Sequence, residues 1–250
     1  MVGGLFAMYA KAEHARQGDF TQTADGYEVR LAEPLDAAYA RRTIDAQLSA
    51  LERLVGRANG RIRFATTVDE IEAARRDAAF AIVLHLEGAE AIDADLDGLA
   101  RLHSRGLRSL GPVWSRPNIF GHGVPFAYPR SPDTGPGLTD AGKALVKTCN
   151  ELGIMVDAAH LNERGFWDLV AISTAPIVAT HACAHAICPA TRNLTDRQLD
   201  AVKASGGVVG FNFSVSEVRP DGHRDPDIPI ETVVAHLGYL VERMGDDHVA

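Results

Sequence analysis

Two histidines and one glutamate stand at similar points of the sequence, each at the end of a short apolar run. His160 and His181 close two successive runs, and Glu87 closes another run further upstream. Imidazole is the commonest metal ligand in proteins, and a shared carboxylate can hold two ions ~3.5–4 Å apart. A site of that kind generates a hydroxide nucleophile at neutral pH. We therefore predict a metal site formed by Glu87, His160 and His181.

Two simpler interpretations compete with this site. Either histidine taken alone is equally well explained as an ordinary residue near the end of a strand. A local cluster of His181, Cys183, His185 and Cys188 could instead bind one structural zinc ion. Its spacings match none of the usual paired-ligand patterns. We therefore expect His185 to lie in a loop or to contact a metal ligand without binding the metal itself.

The apolar runs have the lengths of strands, and helical segments separate them. Residues 164–173, between the two histidine runs, have the pattern of a crossover helix, which indicates a βαβ unit. Strands are predicted at residues 3–9, 79–86, 107–114, 154–159, 177–180 and 208–213, and helices at 33–55, 67–78, 93–104, 139–152, 164–173, 195–205 and 230–244. This alternation predicts a parallel (β/α) barrel, or a piece of one, as a single domain over residues 1–250. In such a barrel, ligands and chemistry lie at the carboxyl ends of the strands.

Residues 115–137 are predicted to form a long loop. They contain five prolines and four glycines, so we expect no regular element there. The aromatic and basic side chains of this segment, such as Phe126 and Arg116, favour contact with substrate, as in a lid over a site. The alternative is a simple surface insertion.

Composition excludes several classes of partner. The formal net charge is -8, and no basic stripe exists to neutralise the phosphates of a nucleic acid. The longest apolar runs are strand-sized, which argues against a membrane span, and the opening residues do not resemble a signal peptide. Cys149, Cys183 and Cys188 are too few for a disulfide framework. We therefore expect a protein of the reducing cytoplasm.

Several longer segments carry a resemblance to a known family. They are GGLFAMY, LHLEGAEAI, GLRSLGPVWSRPNIFGHGV, GLTDAGKALVKTCNELGIMVDAAH, APIVATHACAHA, TRNLTD and GGVVGFNF. In this order, between residues 3 and 249, they resemble the membrane (renal) dipeptidase family of zinc metallopeptidases. The resemblance implies an amidohydrolase-like (β/α)8 TIM barrel that hydrolyses dipeptides through a zinc-activated hydroxide. It also implies a homodimer as the expected assembly.

The resemblance implies roles for individual residues. Glu87 falls on the carboxylate that bridges two zinc ions in the family, and His160 and His181 fall on the ligands of the second ion. Arg192 falls on the arginine that pairs with the free carboxylate of the substrate, a task that suits a fork of guanidinium donors. The alternative for Arg192 is a salt bridge to a nearby aspartate, Asp196 or Asp200.

Two further residues are expected to contact the substrate. The family often has a substrate-contacting histidine where this sequence has Trp114. His122, in the neighbouring loop, is our candidate for replacing that histidine. A dipeptide is therefore the expected small-molecule partner.

The sequence departs from the family pattern at both ends. The family's first strand carries a His-x-Asp pair for the first zinc ion, and its eighth strand carries the aspartate that handles the proton. We expect this chain to lack both strands. The only His-x-Asp here is His223 to Asp225, in a polar loop. One zinc ion or none is therefore expected to bind.

The catalytic acid/base residue is consequently unknown from this sequence. The residues from Asp247 to Ala250 have the pattern of a strand that is beginning, and the expected aspartate would lie beyond Ala250. Weak activity is expected for the chain without it. The alternatives are another amidohydrolase-like hydrolase, a non-catalytic binding protein or an inactive fragment.

Overall fold

The computed structural model describes residues 2–12 and 20–250. It is a mixed α/β structure in which most strands are followed by helices. The strands are β1 (Gly3–Met8), β2 (Phe20–Gln22), β3 (Tyr27–Val29), β4 (Ile62–Phe64), β5 (Phe80–Glu87), β6 (Leu107–Gly111), β7 (Ala127–Tyr128), β8 (Met155–Val156), β9 (Val178–Ala182) and β10 (Val208–Phe211). The helices are α1 (Ala37–Arg57), α2 (Val68–Arg76), α3 (Asp97–Ser104), α4 (Asp140–Leu152), α5 (Glu163–Ile172), α6 (Asp196–Ala204), α7 (Val215–Val218) and α8 (Ile230–Met244), followed by a 3-10 turn at Asp246–His248.

Parallel pairing organises the strands that carry the candidate residues. β5 pairs in parallel with β1, β4 and β6, and β6 pairs with β8. An isolated parallel bridge from Asp157 to Val178 links the end of β8 to β9, which pairs with β10. The predicted alternation of parallel strands and helices is confirmed, although no pairing among the described residues closes the row of strands into a ring.

The last two residues pair with β10 in the same parallel sense. Val249 bridges Val209, and the N–H of Ala250 donates to the Val209 carbonyl at 2.9 Å. The carbonyl of Ala250 in turn accepts the N–H of Phe211 at 2.7 Å. Strand-like pairing therefore begins at Val249 and not at Asp247 as predicted, because Asp247 lies in the 3-10 turn.

A small antiparallel sheet, formed by β2, β3 and β7, was not predicted from the sequence. Asp25 and Gly26 lie between β2 and β3, and an Asp-Gly pair is a strong signal for a hairpin. β7 lies within residues 115–137, where we predicted no regular element, and for these two residues the prediction is wrong. β7 forms through pairing with the distant β3, where Tyr27 stacks on Tyr128. Local composition carries no information about such a contact.

Side-chain caps determine where several helices begin. The cap accepts a backbone N–H from the residue three positions on, which satisfies one donor of the first turn. The caps that do so are Asp36, Thr67, Thr139 and Asn162. α1 therefore begins at Ala37 and not at residue 33 as predicted, because Asp36 is its cap. Gly153 ends α4 in the left-handed conformation at φ 67°, as its position in the sequence predicts.

The helices cover the sheet with a continuous hydrophobic core. Its buried members extend from Met8 in β1 to Met244 in α8. Leu86 of β5 and Leu110 of β6 are fully buried. Packing in the core therefore fixes the strands that position the candidate residues. Across residues 2–12 and 20–250, no helix is both long enough and apolar enough to span a bilayer.

Candidate active site

Three predicted metal ligands converge at one end of the parallel sheet. Oε1 of Glu87 lies 2.9 Å from Nε2 of His160 and 3.5 Å from Nε2 of His181. The two imidazole Nε2 atoms are 3.0 Å apart. Glu87 is the last residue of β5, and His160 follows β8. His181 lies within β9 and not after it as predicted, because this strand continues to Ala182.

Hydroxyl groups orient the outer nitrogens of both imidazoles. Oγ of Ser115 contacts Nδ1 of His160 at 2.9 Å, and Oγ1 of Thr180 contacts Nδ1 of His181 at 2.8 Å. The Thr180 hydroxyl donates its proton to Oδ2 of Asp157 at 2.6 Å, so toward His181 it accepts. Nδ1 of His181 therefore carries the hydrogen. Its Nε2 presents a lone pair toward the cluster, which is the state required of a metal ligand.

Burial and nearby positive charge disfavour protonation of these histidines. Burial is the largest cause that lowers the pKa of His160 well below its usual value, and the Arg192 guanidinium lowers it further. The same two causes, in the same order, lower the pKa of His181. Neutral imidazoles and a carboxylate that face one point are a donor set that fits a zinc ion. Within the described residues, no other trio of His, Cys, Asp or Glu has this arrangement.

A second layer of polar side chains lies behind the cluster. Asp157 also accepts the backbone N–H groups of Ala159 and Thr180, which fixes its carboxylate. Nε2 of His85 lies 3.6 Å from Oδ2 of Asp157, and its Nδ1 contacts Oγ of Ser109 at 2.7 Å. Sequence reasoning missed Asp157 and Thr180. The signal that could have found them is their position in the two histidine segments, with Thr180 directly before His181 and Asp157 three residues before His160.

The acid/base residue stays a prediction. We expected it to be an aspartate beyond Ala250, and Ala250 is the last residue of this chain. Asp157 does not take its place, because both of its carboxylate oxygens already accept hydrogen bonds, from Thr180 and from the backbone. Asp157 therefore positions His181 and is not assigned the transfer of a proton.

Arg192 is buried beside the ligands, with donors available for an anion. Only 3% of the residue is exposed, and its Nη2 lies 3.5 Å from Nε2 of His160. Its Nε and Nη1 atoms are buried without a hydrogen-bond partner among the described residues. The alternative salt bridge is not formed, because Asp196 and Asp200 both bind Arg243. Each of these donors shares an edge of the guanidinium with Nη2, and such an edge in a buried site is suited to a bidentate carboxylate.

The two other predicted substrate contacts lie in different surroundings. The Trp114 ring packs against the His160 ring, with centroids 5.7 Å apart. His122 is half-buried, and its Nδ1 has no hydrogen-bond partner among the described residues. No ring contact or hydrogen bond within that part of the chain joins His122 to the cluster. Trp114 is therefore beside the site, whereas the role of His122 stays a prediction.

Arg116, which we expected to contact substrate, instead forms a buried ion pair. Its side chain is 1% exposed, and Nε donates to Oε1 of Glu90 at 2.6 Å. Its guanidinium lies over the Tyr9 and Trp114 rings, 5.0 Å from each centroid, and Nη2 donates to the carbonyl of Ala10. The pair fixes Trp114 against the site, so its effect on substrate is indirect.

Removing the cation of this pair is expected to destabilise the fold. Arg116→Met leaves the Glu90 carboxylate buried without its partner, and such a change costs about 3–5 kcal/mol of the free energy of unfolding. Urea denaturation of the variant and of the wild type measures this loss. The double variant Arg116→Met/Glu90→Gln is expected to lose less of the free energy of unfolding, because it leaves no buried charge without a partner. Equal stability of the single variant and the wild type would contradict the importance of the pair.

The competing ligand clusters are not assembled. Sγ of Cys183 donates to the carbonyl of Asn212, and Sγ of Cys188 points to the carbonyl of Ser216. His185 contacts the carbonyl of Arg130 through Nε2. Burial raises the pKa of the Cys188 thiol to about 12, which opposes the thiolate form that binds zinc.

The His-x-Asp sequence from His223 to Asp225 also stays apart from the metal cluster. His223 is exposed on a loop, and its ring nitrogen Nδ1 lies 3.9 Å from a carboxylate oxygen of Asp221. Neither His223 nor Asp225 belongs to the cluster formed by Glu87 and the two histidines.

Sequence comparison relates the whole described chain to one family. The model of the family described as membrane dipeptidase (peptidase family M19) matches residues 2–250. A Klebsiella pneumoniae protein, described as an uncharacterized protein in the pqqA 5' region, is 48% identical over 204 residues. That match covers 82% of this chain and 75% of the Klebsiella protein.

Structural comparison leads to proteins of the same family. The crystal structure of dipeptidase AC, a metallo peptidase of family M19, is 47% identical with a TM-score of 0.93, over 99% of this chain and 70% of that one. A metallo peptidase from Rhodobacter sphaeroides, liganded with a phosphinate mimic of the dipeptide L-Ala-D-Ala, is also 47% identical. Its TM-score is 0.95, over 100% of this chain and 72% of that one. Dipeptidases of this family have a TIM-barrel-like fold, so the predicted fold class is confirmed.

Proposed function

Since this chain belongs to the membrane dipeptidase family, peptidase family M19, and is a hydrolase of the dipeptidase type, we propose that Glu87, His160 and His181 hold a zinc ion at which a dipeptide is cleaved. The observation that carries the proposal is the convergence of one carboxylate oxygen and two imidazole Nε2 atoms, none more than 4.8 Å from another. The family itself implies a metal cofactor. The choice of zinc rests on the nitrogen-rich donor set.

The protein's own residues would bind and orient the substrate around that ion. Zinc supplies Lewis acidity, which polarises a carbonyl oxygen and makes water acidic enough to attack near neutral pH. Arg192 receives the C-terminal carboxylate of the dipeptide through one edge of its guanidinium, where an unpaired donor, Nε or Nη1, lies beside Nη2. Trp114 covers one side of His160 and excludes water from it.

The position of Arg192 accounts for a preference for dipeptides. Its Nη2 lies only 3.5 Å from Nε2 of His160, so the carboxylate anchor is next to the metal ligands. One residue of extended chain spans about 3.3–3.6 Å. A carboxylate held there leaves room for a single residue between it and the scissile carbonyl. A longer C-terminal segment would not fit between the anchor and the metal.

Thr180 is expected to support metal affinity through His181. Thr180→Val keeps the shape of the side chain but removes the hydroxyl that joins Asp157 to Nδ1 of His181. Loss of such a partner weakens metal affinity by about 10–100-fold. Calorimetric titration with zinc measures the change, and Thr174→Val at an exposed position is the matched control. Equal zinc affinity in the Thr180 variant and the wild type would show that the hydroxyl does not orient the ligand.

The proposed activity is tested by hydrolysis of defined peptides with zinc present. L-Ala–L-Ala and L-Ala–D-Ala are expected to be cleaved, whereas tri-alanine and L-Ala–L-Ala amide are expected to be poor substrates. Cleavage of cyclic amides or small esters in preference to dipeptides would instead support another hydrolase with the same fold. Dipeptide binding without chelator-sensitive turnover would support a non-catalytic binding protein.

A further inference from the structure

A cavity that adjoins the candidate active site has aromatic walls. Its volume is about 560 Å³, and Trp114, which packs on His160, forms one wall. Tyr27 and Phe126 line it further, together with Glu217 from the short helix α7. The cavity is larger than an ammonium or carboxylate group alone requires. It has room for a complete amino-acid side chain.

Glu217 brings a buried carboxylate to this cavity. The residue is 3% exposed, and its Oε2 accepts a hydrogen bond from Nδ2 of Asn212. Among the described residues, the other carboxylate oxygen has no hydrogen-bond donor. Burial raises the pKa of Glu217, which means that the charged form is poorly solvated there. A buried carboxylate with a free oxygen is stabilised by a cationic donor.

The surrounding charges leave this carboxylate short of a cation once substrate is bound. Arg192 is the positive charge that most strongly opposes the effect of burial on Glu217. In the proposed complex, however, the substrate carboxylate neutralises Arg192. Arg224, which also lines the cavity, is exposed, and its guanidinium lies over the Phe20 ring at 5.5 Å. Because solvent screens an exposed charge, Arg224 opposes a cation in the cavity only weakly.

We propose that this cavity receives the side chain of the dipeptide's C-terminal residue and selects a cationic one, such as that of lysine, through Glu217. The proposal rests on the proposed function, since it uses Arg192 as the anchor of the C-terminal carboxylate. The carboxylate and the side chain of that residue share one Cα atom. Asn193, the residue after Arg192, donates through Nδ2 to the carbonyl of Glu217 at 2.7 Å, so the cavity lies beside the anchor and within reach of that side chain.

The chemistry of a lysine side chain matches both parts of the cavity. Its four-carbon stem packs against the rings of Trp114, Tyr27 and Phe126, as long cationic side chains do on apolar surfaces. Its ammonium group donates to the free oxygen of Glu217 and gains a cation–π contribution from the aromatic walls. Norleucine has the same stem without the charge, so comparison of the two isolates the role of Glu217.

The test measures affinity and turnover with the same pair of dipeptides. Binding of L-Ala–D-Lys and L-Ala–D-norleucine to the chelator-treated chain is followed by calorimetry, and kcat/KM is measured after zinc is restored. We expect the lysine dipeptide to be favoured by at least about tenfold in both measurements, the effect of one hydrogen bond to a charged group. Glu217→Gln is expected to reduce this ratio to near one. Glu231→Gln, on the exposed first turn of α8, is the matched control and keeps the wild-type ratio.

The outcomes separate this inference from the proposed function. Wild-type protein that binds both dipeptides equally, or prefers norleucine, overturns the inference, and this result does not depend on whether the Glu217 variant folds. A Glu217→Gln variant that weakens both dipeptides to the same extent also overturns it, because Glu217 would then hold the α-ammonium group or the fold. A lysine preference in binding without any hydrolysis supports the cavity assignment and counts against the dipeptidase proposal. Hydrolysis without a lysine preference supports the dipeptidase proposal and overturns the cavity assignment.

Discussion

Replacement of both His160 and His181 by alanine is expected to abolish metal binding and to lower kcat/KM for L-Ala–D-Ala on the order of 10³-fold or more. The two imidazoles supply two of the three converging donor atoms, and Glu87 alone cannot hold an ion at this position. The loss should be in the chemical step, because Arg192 still binds the substrate carboxylate. Metal analysis and steady-state kinetics of the same preparation measure both effects.

The control for this variant is His103→Ala. His103 lies in α3, outside the metal cluster, and its replacement should leave zinc content and turnover at wild-type values. Circular dichroism verifies that the double variant remains folded. A folded double variant that retains wild-type turnover would exclude the cluster as the catalytic centre.

Arg192→Gln is expected to give the second largest loss, on the order of 10²- to 10³-fold in kcat/KM, because the substrate carboxylate would be buried without its charged partner. Most of the change should appear in KM. Arg192→Lys should lie between the wild type and the glutamine variant, since lysine keeps the charge but not the fork of donors. The measurement is kcat/KM for L-Ala–D-Ala and for its C-terminal amide.

The amide distinguishes recognition from a structural effect. Wild-type protein should prefer the free acid, and Arg192→Gln should lose that preference because the amide never paired with the guanidinium. Arg197→Gln on the surface of α6, where Arg197 packs on Trp167, provides the matched control. An Arg192→Gln variant that keeps the preference for the free acid would show that the anchor lies elsewhere.

Local signals in the sequence were sufficient for the elements that carry the metal cluster. Periodicity and caps located most helices to within a few residues, and the predicted bounds of α8 agree with the structure. Glu87, His160 and His181 each follow or end an apolar run, and parallel pairing then brings strand ends together. Their convergence therefore followed from strand order and from the type of side chain.

Features that depend on contacts between distant segments could not be predicted in this way. β4 has only three residues, and no apolar run marks it. β7 exists because β3 lies beside it, about one hundred residues earlier in the chain. Arg116 resembled a substrate contact in the sequence, yet it is buried against Glu90, 26 residues away. The sequence displays the charge of such a residue but not its partner.

The residues that orient the metal ligands, Asp157 and Thr180, also depend on contacts between distant segments. Asp157 and Thr180 are adjacent in space because β8 and β9 are neighbours, although 23 residues separate them. Glu217 reaches the cavity from α7, a helix of one turn that no periodic pattern could reveal. Polar networks of this kind depend on three-dimensional geometry, whereas single ligands at strand ends have a recognisable sequence context.

The most direct test of the account is a zinc titration of the chelator-treated chain, with bound metal and L-Ala–D-Ala hydrolysis measured on the same samples. The account predicts no hydrolysis without metal, and a rate that rises with zinc bound at Glu87, His160 and His181. The His160→Ala/His181→Ala variant should bind no zinc at this site and show no recovery. Hydrolysis that persists at full rate after the metal has been removed would contradict the account.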